Sequence, residues 1–143
     1  MGLYNVMAIG STGLAAQRTR MEVLASNLSN VNTTHGPDGK PYQRLVPLFK
    51  AVENGSDFAS ELEGQRKLYE VEVEGVKKDG RDPIQVYEPE HPDADENGYV
   101  SYPNINMVEE MVGVMSAARS YEANLTVVNA AKEMAKKAID LSR

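Results

Sequence analysis

Apolar residues recur by threes and fours along the last forty residues of the chain, from Asn104 to Arg143. Alternating steps of four and three average 3.5 residues, which is the repeat of a left-handed coiled-coil seam. No proline follows Pro103, and Asn106 can cap the first turn with Glu109 at the third helical position, so the segment predicts one long helix. The predicted seam consists of Met107, Met111, Val114, Ala118, Tyr121, Leu125, Val128, Lys132, Ala135 and Ile139, with Lys132 as its one polar break.

Residues 3–31 show the same alternation and predict a second long helix at the other end of the chain. Gly10 and Gly13 fall in its first half, where each lowers helix propensity by about 1 kcal/mol relative to alanine. Ala16 and Val23 widen the apolar face beside the seam. The predicted seam consists of Leu3, Met7, Gly10, Leu14, Gln17, Met21, Leu24, Leu28 and Val31.

Both predicted helices carry more apolar surface than a chain of 143 residues can cover in its own core. At 1.5 Å per residue, the C-terminal helix alone would be about 54 Å long. The economical arrangement pairs the two helices, antiparallel or crossed, and leaves their remaining surface for other subunits. The pattern therefore predicts a protein that assembles through its terminal helices.

Small and polar residues surround Leu28 in the segment from Ala25 to Thr33. Asparagine and serine compete with the helical backbone for hydrogen bonds, so they weaken a helix interior and favour its end. One interpretation is a fraying helix terminus. The other is a polar interface in which Asn27 and Asn30 bond to a neighbouring subunit. The turn-forming sequence from His35 to Pro41 then ends the helical region.

The middle of the chain predicts short strands separated by turns. Pro47 cannot donate to a sheet ladder, so the first strand is expected at an edge. The predicted strands are residues 42–50, 68–76, 84–87 and 99–102. The predicted loops and turns are residues 51–66, 77–83 and 88–97.

These elements predict an α+β fold, in which two long, coiled-coil-like terminal helices flank a small β-rich middle module. The expected divisions are an N-terminal helical segment at 1–34, the middle module at 35–103 and the C-terminal helix at 104–143. The middle holds fifteen acidic and eight basic residues, whereas the two ends are nearly neutral. This distribution suits a solvated middle and closely packed ends.

Composition excludes several classes of function. The chain has no cysteine, which excludes a disulfide framework, a thiolate zinc site and a cysteine nucleophile. It has no basic stripe, so nucleic acid is not an expected partner. No apolar run approaches 18 residues, and no positively charged segment precedes an apolar stretch at the N-terminus. Neither membrane insertion nor a cleaved signal peptide is therefore expected.

The chain offers little catalytic or metal-binding chemistry. Asp93, Asp95 and Asn97 match the opening of a calcium loop, but Asn104 stands where the bidentate glutamate is needed, so a solvated turn is the better interpretation. His35 lacks metal-ligand spacing with another strong ligand. No nucleotide-binding or hydrolase motif is present. We therefore expect no catalytic, metal-binding or cofactor-binding residues and no cofactor.

Two terminal stretches and one internal stretch carry a family resemblance. Leu14–Gln17 and Ala25–Thr33 resemble the N-terminal signature of flagellar basal-body rod and hook proteins, which reads close to A-S-N-L-A-N-x-x-T, with Ser29 at its second alanine. Met107–Leu141 resembles the C-terminal helix of that family. The internal stretches similar to the short subunits of the proximal rod are Tyr87–Asp95, Gly98–Val100 and Pro103–Asn104.

The resemblance implies a structural, non-enzymatic subunit of the bacterial flagellar rod, the drive shaft that crosses the periplasm and transmits torque. It also implies self-assembly through the terminal helices and type III export without a cleaved signal. The implied partners are further copies, other rod proteins, the adaptor between the rod and the export gate, and the export apparatus. The alternative is a soluble helical adaptor or export chaperone of the flagellar secretion system.

The expected assembly interface draws on both helices. On the N-terminal helix it consists of Met7, Leu14, Met21, Leu24, Asn27, Leu28, Asn30 and Val31. On the C-terminal helix it consists of Met107, Met111, Val114, Ala118, Tyr121, Asn124, Leu125, Val128, Lys132 and Ile139.

Overall fold

The structure is a computed structural model that describes residues 3–53 and 68–141. Two long helices flank four short strands, which confirms the predicted α+β class. The helices are α1 (Leu3–Ser29) and α2 (Met107–Leu141). The strands are β1 (Leu45–Glu53), β2 (Tyr69–Lys78), β3 (Ile84–Tyr87) and β4 (Tyr99–Tyr102).

The chain divides into two compact units, and each draws residues from both helices and from the strands. Unit 1 takes its described residues from 1–19, 48–75 and 117–143, and unit 2 consists of 20–47 and 76–116. In unit 1 the buried apolar residues are Ala16, Ala117 and Ala131. In unit 2 they are Val23, Leu24, Val100 and Ile105.

The two helix boundaries have separate causes. Asn106 caps α2 as predicted, because its Oδ1 accepts the backbone N–H groups of Val108 at 3.0 Å and Glu109 at 3.4 Å. Helix α1 ends at Ser29, two residues before the predicted boundary. The Asn30 side chain donates to the carbonyl of Ser26 at 2.8 Å, which is the local competition that ends helices at asparagine.

The strands form two separate two-stranded sheets, β1 with β2 and β3 with β4. Pro47 lies within β1, where it is tolerated because neither strand of a two-stranded sheet is central. The segment 51–53 belongs to β1 and the segment 77–78 to β2, so the predictions of loop and turn there were wrong. In both segments the backbone remains extended as part of a strand, although the local sequence is polar. The rest of the predicted loop, 54–66, lies outside the described residues.

The β3–β4 hairpin is antiparallel and pairs Ile84 with Tyr102 and Tyr87 with Tyr99, as the two predicted short strands allow. Its turn closes where the N–H of Glu88 donates to the carbonyl of Gly98 at 2.9 Å. Gly98 has a φ of 83°, and a β-carbon there would meet the Tyr87 ring at 3.0 Å. Glycine is therefore required at this position on conformational and steric grounds.

Candidate functional site

Unit 2 contains a buried polar cluster on two facing helices. Asn27 of α1 is 0% exposed and Glu110 of α2 is 1% exposed. Asn27 Nδ2 donates to Glu110 Oε2 at 3.0 Å, so the pair joins the two helices directly. Nearby, Leu24 packs against Gly113, where an added β-carbon would lie 3.0 Å from Leu24 Cδ1. The helices therefore approach closely around a polar contact that excludes water.

Asn27 also binds the backbone of Leu45, the first residue of β1. Its Oδ1 accepts the Leu45 N–H at 2.8 Å, and its Nδ2 donates to the Leu45 carbonyl at 2.9 Å. A primary amide presents a donor and an acceptor side by side, so it pairs with Leu45 much as a neighbouring strand would. The side chain of a helix residue thus fixes the start of β1.

Tyr42 completes the hydrogen bonding of Asn27. The Tyr42 hydroxyl donates to Asn27 Oδ1 at 3.1 Å and lies 3.2 Å from the hydroxyl of Ser26. Asn27 therefore uses two donors and two acceptor positions, which is the full capacity of an amide. The polar residues of the Ala25–Thr33 segment serve contacts within the chain here, and Asn27 has no capacity left for a hydrogen bond to another subunit.

Arg44 links the buried carboxylate to the end of β2. Its Nε donates to Glu110 Oε1 at 2.7 Å, and its Nη1 lies 3.4 Å from Asp79 Oδ2. The Asp79 N–H donates to the Arg44 carbonyl at 2.7 Å, and Arg81 Nε donates to Asp79 Oδ2 at 2.8 Å. Two arginines and two carboxylates thus compensate one another's charge.

The ion pairs shift the pKa values of two members. Burial lowers the pKa of the Arg44 guanidinium, but the hydrogen bond and charge of Glu110, followed by those of Asp79, outweigh it and raise the pKa above its ordinary value. The hydrogen bond and charge of Arg81, aided by the hydrogen bond from Arg44, hold the pKa of the Asp79 carboxyl below its usual value against the opposing effect of desolvation. Both groups stay charged near neutral pH.

In unit 1 the two helices meet through small residues instead. A β-carbon at Gly10 would lie 2.5 Å from Val128 Cγ2, and one at Gly13 would lie 2.9 Å from Asn124 Nδ2. Ala117 and Ala131 of α2 are fully buried. Because glycine and alanine occupy little space, the helix backbones approach closely, and this explains why glycines stand in the middle of a helix that they weaken.

The side-chain oxygen of Gln17, unlike the buried polar groups of unit 2, lacks a hydrogen-bond partner among the described residues. This atom, Oε1, is buried. A buried acceptor without a partner destabilises a fold by roughly 1–3 kcal/mol. Unit 1 therefore retains a local defect within its helix contact.

The buried face of α2 follows a 3.5-residue repeat, but half of its positions differ from the predicted seam. It retains the predicted Val114, Tyr121, Val128 and Ala135. Met111, Leu125 and Lys132 are exposed, and the buried face contains the residue before each of them, namely Glu110, Asn124 and Ala131. Ala117 is also buried there, next to the half-buried Ala118. Small residues and a paired glutamate occupy the close contact, whereas larger apolar residues lie beside it.

A continuous apolar surface remains exposed on the first three turns of α2, and we call it the Met/Val face. At 100° per residue its members span an arc of about 140° outside the buried positions. Its exposed fractions range from 46% to 67%. The members are Met107, Val108, Met111, Val112 and Met115. An exposed apolar surface of this kind is typical of a protein-binding site.

The remaining residues of the expected interface fall into three groups by exposure. Leu125, Lys132 and Ile139 are exposed on α2. Half-buried positions are Met7, Leu14, Met21, Leu28, Asn30, Val31, Val114, Ala118, Tyr121, Asn124 and Val128, whereas Leu24 and Asn27 are buried. The sequence interpretation missed Val108, Val112 and Met115 because it followed one narrow seam. Testing a second register, one residue earlier, would have found Glu110.

The turn that resembles a calcium loop is held by its own backbone. Asp95 Oδ1 accepts the N–H groups of Asn97 at 2.9 Å and Tyr99 at 2.8 Å. Asp93 Oδ2 accepts the hydroxyl of Thr34 at 2.7 Å. Across residues 3–53 and 68–141, no three potential ligands lie close enough to hold a metal ion. In the same ranges neither helix is apolar enough over its length to cross a membrane.

Comparisons with known proteins match both ends and the whole length of the chain. A family model described as flagella basal body rod protein matches residues 7–37, and one described as flagellar basal body rod FlgEFG protein C-terminal matches residues 96–141. The chain is 41% identical to the flagellar basal-body rod protein FlgC of Borreliella burgdorferi over 97% of each chain. It is 44% identical to that of Aquifex aeolicus over 94% of this chain and 92% of the relative, and 40% identical to that of Salmonella typhimurium over the full length of both.

Proposed function

We propose that this chain, which belongs to the flagellar basal-body rod protein family, assembles into the rod through the Met/Val face of α2. The chain is a structural subunit of the flagellar basal-body rod, and it assembles with other rod components. The single observation that supports the proposed surface is its exposed apolar arc, because water contact with five adjacent apolar side chains is unfavourable until a partner covers them.

The exposed residues of the expected interface extend this proposal towards the C-terminal end of α2. Leu125 and Ile139 are exposed apolar residues, and Lys132 is an exposed cation suited to a neighbour's carboxylate or carbonyl. We propose the helical segments 1–34 and 104–143 as the parts that pack against other subunits, and the acidic middle module, 35–103, as the outward part. Dense helix contact of this kind would transmit torque.

The finer details of location and partners are also proposals. They are a periplasmic position in the proximal rod, export by the flagellar type III apparatus without a cleaved signal peptide, and contact with the adaptor between rod and export gate. We propose that the chain has no enzymatic activity. The alternative, a soluble helical adaptor or export chaperone, is not favoured, because the named relatives are rod subunits that match nearly the whole chain.

Incorporation into purified basal bodies tests the proposed surface. Met111→Glu and Leu125→Glu place a carboxylate on exposed positions, so the subunit should fold normally but lose assembly, since an unpaired charge in an apolar interface costs several kcal/mol. Motility and the amount of the chain in basal bodies should both fall about tenfold or more. Gln85→Glu, which adds the same charge to the exposed strand β3, is the control.

Two results would contradict the proposal. Normal motility of both helix variants would reject the surface while leaving the family assignment intact. A wild-type chain that is absent from basal bodies and remains a small soluble oligomer would favour the adaptor or chaperone instead.

A further inference from the structure

A cavity of about 300 Å³ lies in unit 2, between the end of α1 and the start of β1. Half-buried Tyr42 and Leu45 contribute to its lining, together with Pro37 and Pro41. Its volume is at the lower end of the range for ligand pockets, so one or two side chains would fill it.

Hydrogen bonds within the loop hold the walls of the cavity in place. The Gly36 N–H donates to the Lys40 carbonyl at 2.8 Å, and the Tyr42 N–H donates to the Thr33 carbonyl at 3.1 Å. Gly39 lies in the turn that the Gly36–Lys40 hydrogen bond closes, and its φ of 69° is the left-handed conformation that glycine adopts readily. The cavity is therefore formed before any ligand arrives, which lowers the entropic cost of binding.

Two lysines give the cavity a positive character. Lys40 and Lys78 contribute to its lining, and neither has an ion-pair partner within residues 3–53 and 68–141. Asp38 also contributes to the lining, so the titratable side chains there carry a net positive charge. In a chain whose net charge is −6, this local excess favours an acidic segment as ligand.

The β3–β4 turn of the same protein has the complementary chemistry. Residues 88–98 contain five acidic residues and no lysine or arginine. Glu90 is exposed, lies between Pro89 and Pro92, and makes no ion pair or hydrogen bond with another described residue. The two prolines of this segment suit the proline and tyrosine side chains of the cavity, and its carboxylate suits the two lysines.

The chain's own turn does not occupy its own cavity. Thr34 Oγ1 donates to Asp93 Oδ2 at 2.7 Å, which holds the turn where Glu90 pairs with neither lysine. The same contact in a second copy holds that copy's turn away from its own cavity but does not prevent the turn from entering this one. Contact between two different surfaces of identical chains repeats from copy to copy, so it builds a ring or an open helical filament rather than a two-fold dimer.

We propose that this cavity binds the Pro89–Pro92 segment of a second copy of the chain, with the neighbour's Glu90 beside Lys40 and Lys78. The inference rests on the proposed assembly into a rod, but it concerns a surface separate from the Met/Val face. It gives the acidic turn a role in contact between copies, in addition to the contact made by the helices.

Cross-linking in assembled basal bodies tests this contact. The chain contains no cysteine, so in a Lys78→Cys, Glu90→Cys double variant the two designed cysteines are the only ones in the chain that a short bismaleimide can join. We expect a covalent dimer from the double variant and none from either single variant. The matched control combines Glu90→Cys with Lys77→Cys, since neighbouring strand residues point to opposite faces and Lys77 does not line the cavity.

Charge reversal provides the second measurement. Lys78→Glu and Glu90→Lys should each weaken contact between copies by about two- to fivefold, and the double reversal should restore much of it, because positions 78 and 90 then carry opposite charges again while Lys40 is unchanged. Loss of the dimer band in basal bodies that contain the chain, a cross-link to a different protein, or a double reversal no better than the single variants would overturn the inference. Absence of the chain from basal bodies would instead overturn the proposed function, and this inference with it.

Discussion

The two units hold α1 against α2 by different means. In unit 2 the contact contains a buried amide and a buried carboxylate, each with all its main partners, and a strand is fixed to the same groups. In unit 1 the contact is made by glycine and alanine, and the buried oxygen of Gln17 has no described partner. Directional hydrogen bonds favour one position of α1 along α2. Small residues allow a short distance between the helix backbones but do not select one position.

This difference separates two sources of order in one helix pair. A hydrogen-bonded cluster penalises any shift of one helix along the other, because a displaced buried amide or carboxylate loses its partners. A surface of glycine and alanine can slide more easily, since similar small residues recur along it. We therefore expect unit 2 to determine the register of the helices and unit 1 to adapt more readily.

The largest effect should come from removing the centre of the polar cluster. Glu110→Ala leaves Arg44 and a buried Asn27 donor without their partner, so the free energy of unfolding should fall by about 2–4 kcal/mol. Urea unfolding measures the change. Glu122→Ala, at an exposed position of the same helix, should alter the free energy by no more than about 0.5 kcal/mol. Equal effects of the two variants would remove the distinction between the units.

A smaller loss should follow from filling the close contact of unit 1. Gly10→Ala places a methyl group 2.5 Å from Val128, and the clash should exceed the gain in helix propensity, with a net loss of about 1–2 kcal/mol. Thermal or urea unfolding would show it. Val128→Ala in the same chain makes room for the methyl group, so the two substitutions should be less harmful together than their separate effects predict. Strict additivity would mean that the helices do not meet there.

The smallest expected effect is a gain. Gln17→Met keeps an unbranched side chain but removes the unpaired buried oxygen, so the free energy of unfolding should rise by about 0.5–1 kcal/mol. Gln43→Met, at an exposed position, serves as the control and should leave stability nearly unchanged. A loss of stability in Gln17→Met would show that the amide has a partner in solution and that unit 1 is as well satisfied as unit 2.

Local sequence signals predicted the elements well. The 3.5-residue repeat predicted both helices, Asn106 predicted the start of α2, and short stretches bounded by turn and loop residues predicted β3 and β4. These signals act over a few residues and need no knowledge of the distant chain. The boundaries of β1 and β2 were less accurate, because polar residues extend their pairing beyond the part that looks like a strand.

The contacts between distant residues could not be derived in the same way. Large apolar residues favoured Met111 and Leu125 as the packed positions, but helices that approach closely select small residues and leave the large ones outside. The pairing of Arg44 with Glu110 joins residues 66 positions apart, and no local pattern records it. The family resemblance identified the class of protein, yet it did not reveal which side of α2 faces the chain itself.

Two hydrogen bonds join the Asn27 side-chain amide to the backbone of Leu45, and they constrain the length of the loop between α1 and β1. The contact uses only backbone atoms of residue 45, so the type of side chain there matters less than the number of residues that precede it. Deleting one residue from the loop would bring a different residue to Asn27, and because strand side chains alternate, every side chain of β1 would then change faces. We therefore expect Asn27 to fix the number of residues between α1 and β1, a constraint separate from the specific contacts that Tyr42 and Arg44 make within the same loop.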